Sequence, residues 1–124
     1  MNTQSVQRTS NRFPPPGMRS VGLTAKALRQ QNRVFRGTGG VSAENRSQGF
    51  APAFLDTQTG EVYRACFADG RPAPMHLLEG LPSALVVERD AGGRATALRS
   101  SVMAGFVRGT RFFTREQAAA LVMN

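Results

Sequence analysis

FAPAFLDTQTGEVYRACF, residues 50–67, decides the fold. Two apolar runs flank a polar segment that ends in glycine. Phe50–Leu55 reads as a first strand, and Pro52 assigns it to a sheet edge because proline has no N–H to give a ladder. Asp56–Gly60 reads as a turn, with side chains that bond nearby backbone and a glycine for positive φ. Glu61–Phe67 reads as the returning strand. Alternation places Tyr63, Ala65 and Phe67 on one face and Val62, Arg64 and Cys66 on the other.

Toward the C-terminus the same signals repeat. Asp69–Gly70 closes the second strand. Residues 71–82 begin as a proline-stiffened loop and predict a short helical turn over Met75–Glu79, ended by Gly80. Val86 and Val87 favour a strand. Asp90–Gly93 is a turn, and Arg94–Leu98 returns. Residues 100–107 fit strand or helix, because Gly105 weakens both. Arg108–Gly109–Thr110 reads as a hairpin turn before a short strand, Arg111–Phe113. Thr114 and Gln117 have capping-box spacing, with Glu116 in the first turn of a final helix. That helix is expected to pack through Ala118, Leu121 and Val122.

Toward the N-terminus, residues 41–49 lack periodicity and read as a loop in which Glu44, Asn45 and Arg46 fix a turn or meet an anion. Residues 24–36, TAKALRQQNRVFR, predict a helix. Thr24 caps it, and Leu23 with Leu28 has the spacing of a hydrophobic staple. Lys26, Arg29, Arg33 and Arg36 fall on one side of the wheel, with Ala27, Leu28, Val34 and Phe35 on the other. The glycines of Gly37–Gly40 end it. Residues 1–20 include Pro14–Pro16 and read as a disordered or extended basic arm. The expectation is therefore a single α+β domain over residues 21–124. It comprises an antiparallel sheet of four to six strands built from hairpins, covered by a C-terminal helix and an N-terminal amphipathic helix. Dimerisation would enlarge a core of this size.

Charge is distributed unevenly. Of 124 residues, sixteen are basic and eight acidic, a formal net +8. Residues 1–49 carry eight basic side chains against Glu44 alone, a net +7. Residues 50–124 carry eight arginines against seven acids, a net +1. A basic segment beside a near-neutral core suits a phosphate backbone, since arginine forks neutralise phosphates and release counterions. An acidic protein surface is the alternative partner, and plain solubility is the third account of the charge.

The chain offers little for catalysis. One cysteine and one histidine cannot build a structural zinc site. No cofactor motif is present; Gly37–Gly40 (GTGG) follows a helix rather than a strand and lacks the lysine of a nucleotide-binding loop. Cys66 and His76 form the only candidate nucleophile–base pair. Each has a simpler reading, as a small packing residue and as a capping or packing residue. Glu44, Asp56, Glu61, Asp69, Glu79, Glu88, Asp90 and Glu116 show no spacing for acid–base work, and several have local roles in turns or at a helix start. The lone cysteine excludes an internal disulfide and fits a reducing compartment. Neither a secretory pattern nor a membrane-length apolar run is visible, so a cytoplasmic protein is expected.

GFAPAFLDTQTGEVYRACFADGRPAPMHLLEGLP (residues 49–82) and FVRGTRFFTREQAAALV (residues 106–122) resemble small uncharacterised proteins of proteobacterial mobile elements. The resemblance implies a plasmid or phage accessory role and transfers no functional residue. The resulting expectation is a non-enzymatic nucleic-acid-binding protein, with Arg19, Lys26, Arg29, Arg33, Arg36 and Arg46 contacting DNA or RNA backbone. The alternative is an adaptor or inhibitor of a host protein that uses the Phe50–Leu55 edge or the surface around Phe112 and Phe113 with Arg108, Arg111 and Arg115. An enzyme of unknown class stands third.

Overall fold

The computed structural model describes residues 21–123. The expected extended arm and Arg19 lie outside the described residues. Over these residues the chain is α+β, with two antiparallel sheets, a helix after the first strand and a helix at the end. β1 (Val21–Thr24) leads directly into α1 (Ala25–Phe35). A one-turn helix α2 (Ser42–Asn45) and a 3-10 turn (Arg46–Gln48) follow, so residues 41–49 are more ordered than the expected loop. Then come β2 (Ala51–Asp56), β3 (Val62–Arg64), β4 (Val86–Arg89), β5 (Ala95–Arg99), β6 (Val102–Arg108), β7 (Arg111–Thr114) and α3 (Arg115–Met123). Their order is β1-β5-β4 in the smaller sheet and β3-β2-β6-β7 in the larger.

The expected hairpins form, but they are shared between two sheets. β5 and β6 are consecutive yet belong to different sheets, and the chain changes sheets at Ser100–Ser101. There the Ser101 carbonyl accepts from both the backbone N–H and the hydroxyl of Thr57, each at 2.8 Å. This joins the β5–β6 turn to the β2–β3 turn. Residues 100–107, ambiguous in sequence, resolve largely as β6.

Pro52 does not mark an edge. β2 pairs with β3 on one side and β6 on the other, so the strand offered as a docking edge is interior. The missing N–H is accommodated locally. Pro52 O accepts from Ala65 N at 2.9 Å, and the Ala65 carbonyl, which an N–H at position 52 would otherwise meet, accepts from Ala73 N at 3.0 Å. The segment around Met75–Glu79 is irregular rather than helical, with Pro72 and Pro74 before it and His76 drawn toward the sheet.

One core cluster joins both sheets to α1 through Leu23, Leu28, Phe54, Leu85, Leu98 and Val102. The staple residues Leu23 and Leu28 are thus both core. A second cluster holds Phe50, Phe106, Phe113 and Ala118, with Val122 packed against it. It seats α3 on the larger sheet. Leu121, expected in that contact, is 45% exposed. The inward stripe is instead Arg115, Ala118, Ala119 and Val122, at the i, i+3, i+4, i+7 spacing of a single helix face. The capping box forms as expected: Gln117 N donates to Thr114 Oγ1 at 3.1 Å, and Thr114 N donates to Gln117 Oε1 at 2.9 Å.

Gly105 on β6 has no room for a side chain. A Cβ there would collide with the Phe112 ring and the Phe113 carbonyl oxygen, and the latter is fixed in the β6–β7 ladder. Gly105→Ala is therefore expected to cost about 2–3 kcal/mol in urea denaturation, an overpacking penalty against backbone that cannot yield. A loss below about 0.5 kcal/mol would show that β7 shifts freely.

Candidate nucleic-acid interface

α1 forms where the sequence places it. Thr24 is its N-cap, accepting from Ala27 N at 2.9 Å. Leu28 is buried and Ala27, Gln31 and Phe35 are half-buried, while Lys26, Arg29 and Arg33 are exposed. Val34, assigned to the apolar side, is 67% exposed, because the inward face is centred on Leu28 and Gln31 rather than on Val34. Arg36 is the C-cap and is exposed, continuing the basic stripe one turn beyond Arg33.

The loop after α1 is held by its own carboxylate. Glu44 Oε2 accepts from Gly37 N at 2.7 Å, and Oε1 accepts from Gly39 N at 3.0 Å. The Gly39 and Gly37 amides keep the Glu44 carboxyl below the ordinary carboxylate range. The Gly37 and Gly39 amides, on either side of Thr38, converge on one anion as in a nest, and here Glu44 fills it. Both glycines have positive φ, 84° and 91°, which this geometry needs. Buried Asn45 supports the loop from beneath, its Nδ2 donating to Gly39 O at 2.9 Å. Glu44 and Asn45 thus fix the turn.

This clasp brings two arginines together. Arg36 and Arg46 both line a groove of about 440 Å³, with Asn32, Glu44, Pro74 and Met75 among its other walls. Arg46 is steadied by its Nη2 donating to Pro74 O at 3.3 Å. Glu44 lies in this groove with both oxygens already engaged. Among the described residues the ion pair that forms is Arg71–Asp69, at 2.7 Å. None of Lys26, Arg29, Arg33, Arg36 or Arg46 forms an ion pair there, though the Arg36 charge adds to the amides in lowering the Glu44 pKa.

The second proposed surface divides. Phe112 is half-buried on the outer face of the larger sheet, and Arg108 and Arg111 are exposed. Phe113 is not available to a partner: it is buried edge-on against Phe50, with ring centroids 5.3 Å apart. Arg115 is not on the surface either, being 3% exposed. As the first residue of the inward stripe of α3 it points into the protein. Its Nη1 donates to Gly40 O at 2.8 Å, Nε to Gln31 Oε1 at 3.1 Å, and Nη2 to His76 Nδ1 at 3.4 Å. Burial lowers its pKa to about 10, against the opposing pull of Glu116.

His76 completes this linkage. Its Nε2 lies 2.7 Å from Gly105 O, and its ring meets Phe54 and Phe106 edge-on at 5.3 Å each. A carbonyl only accepts and a guanidinium only donates, so the neutral ring carries its proton on Nε2. Burial first, and then the Arg115 charge, lower its pKa to about 4. Both nitrogens are engaged, and the Cys66 thiol bonds to Arg64 O at 3.3 Å. Cys66 and His76 are therefore not joined as nucleophile and base. No group of three or more potential metal ligands occurs among the described residues. No helix among them is long and apolar enough to cross a membrane. Compared with known proteins, the chain matches no family model, no curated protein and no solved structure.

Proposed function

We propose that the protein binds the phosphodiester backbone of nucleic acid through α1 and the adjoining groove. The observation that carries this reading is the convergence of Arg36 and Arg46 on one groove, at the end of the Lys26–Arg29–Arg33 stripe. Cations that make no ion pair among the described residues, held on a capped helix and a clasped turn, are the parts backbone binding needs. Contacts of this type position a protein without reading sequence. α1 itself favours the reading. Its first turn carries no acid and does carry Lys26, although a helix N-terminus favours negative charge by about 0.3–1 kcal/mol. That placement is unfavourable for helix stability and suited to a polyanion.

The test is fluorescence anisotropy of labelled duplex and single-stranded DNA over a salt series. These five cations contribute about −4 to −5 to the slope of log K against log salt on duplex. Arg29→Gln with Arg33→Gln is expected to flatten it by about 2, with little dependence on base sequence. Absence of binding at low salt would overturn the proposal.

A further inference from the structure

At the far end of the larger sheet, Arg108 and Arg111 face each other as the last cross-strand pair of β6 and β7, across the two-residue turn Gly109–Thr110. Like charges placed directly opposite are destabilising. Neither arginine is relieved by a carboxylate, since the ion pair formed among the described residues lies elsewhere. Both are nonetheless held in place. The Arg108 guanidinium carbon lies 4.5 Å from the Phe50 ring centroid and 5.4 Å from that of Phe113, and that of Arg111 lies 5.2 Å from Phe113. Phe50 and Phe113 are buried, so these rings serve the arginines rather than a base.

We propose that Arg108 and Arg111 form a preorganised phosphodiester clamp, a second contact for the nucleic acid that α1 engages. Stacking on fixed rings removes much of the rotamer entropy that flexible arginines lose on binding. The exposed guanidinium forks then present paired donors to phosphate oxygens. An arriving phosphate also cancels the mutual repulsion, so binding relieves a cost the free protein carries. The clamp is linked to the first site. A Cβ on Gly49 would lie 3.6 Å from Cγ and Cδ of Arg108, so that side chain runs over the residue that ends the Arg46–Gln48 turn. Arg108 thus reaches the turn that carries Arg46. This inference rests on the backbone-binding function proposed above.

The experiment compares the full-length wild type, a tip variant (Arg108→Gln with Arg111→Gln), an α1 variant (Arg29→Gln with Arg33→Gln) and a charge-keeping tip variant (Arg108→Lys with Arg111→Lys). Each is titrated with labelled duplex DNA over a salt series after thermal melting confirms that it folds. The glutamine tip variant is expected to bind roughly tenfold more weakly at low salt, with the slope reduced by about 2. The lysine tip variant is expected to keep the slope yet bind more weakly than wild type, because lysine neutralises phosphate without a planar fork. A glutamine tip variant with wild-type affinity and slope, beside an α1 variant that loses both, would overturn the clamp and leave the α1 interface standing. Failure of the wild type to bind DNA at low salt would overturn both.

Discussion

Replacing Arg115 with alanine is expected to cost about 3 kcal/mol at neutral pH and to raise the pKa of His76. The substitution strips donors from Gly40 O, Gln31 Oε1 and His76 Nδ1, and an unpaired buried acceptor costs about 1–3 kcal/mol. Part of that loss is offset because an unneutralised buried cation is removed as well. Arg115→Met, which retains bulk without charge, is expected to lose less. The wild-type pH profile follows from the same contacts. His76 titrates at about 4 in the folded protein, against an ordinary value of 6.5. The unfolded chain therefore takes up the proton first as pH falls. The stability contribution is complete above about pH 6.5 and is lost between there and about pH 4, in total about 3 kcal/mol. Above about pH 5 most carboxylates remain ionised, so the upper part of the decline belongs to His76. The chain has a single histidine, so one set of imidazole resonances reports it without assignment. Urea stability flat from pH 7 to pH 5, or a histidine titrating near its ordinary value, would disprove the linkage.

Phe106→Ala is expected to be at least as damaging, at about 3–5 kcal/mol. The ring is fully buried and touches three parts of the fold. It meets Phe50 edge-on at 6.3 Å and His76 at 5.3 Å, and it lies under the Arg115 guanidinium, 5.7 Å from ring centroid to guanidinium carbon. Truncation leaves a cavity between β6, α3 and the His76 segment. Small domains hold only about 5–15 kcal/mol in all, so the variant loses a large share of its stability. It also admits water to His76, whose pKa should rise. Denaturant midpoints and the histidine titration measure both effects. A loss below about 1 kcal/mol would show that the Phe50–Phe106–Phe113 cluster is not what seats α3.

The local chemistry of the chain was legible from its residues. The Thr24 cap, the Leu23–Leu28 staple, the Thr114–Gln117 capping box and the turns at Asp56–Gly60 and Asp90–Gly93 depend on side chains a few positions apart. Their geometry is set by neighbours along the chain. The basic stripe on α1 was visible for the same reason, as was the α+β class. Pro52 misled because a missing N–H matters only if a neighbour needs it, and Ala73 answers that need from across a loop. Val34 and Leu121 misled because apolar character does not reveal how a helix is rotated on its support. Arg115 had a readable signal, its spacing with Ala118, Ala119 and Val122, but charge argued against placing it inside.

Sequence alone determined where α1 and α3 start, where the turns at Asp56–Gly60 and Asp90–Gly93 fall and which end of the chain carries the charge, because those depend on short-range bonding and composition. Tertiary structure alone decided that the hairpins divide into two sheets, that Arg115 and His76 lock α3 to β6, and that Arg36 and Arg46 line one groove while Arg108 reaches Gly49. These are contacts between residues distant in sequence. Such contacts are settled by which surfaces pack together and which buried polar atoms must find partners, and no local pattern specifies either.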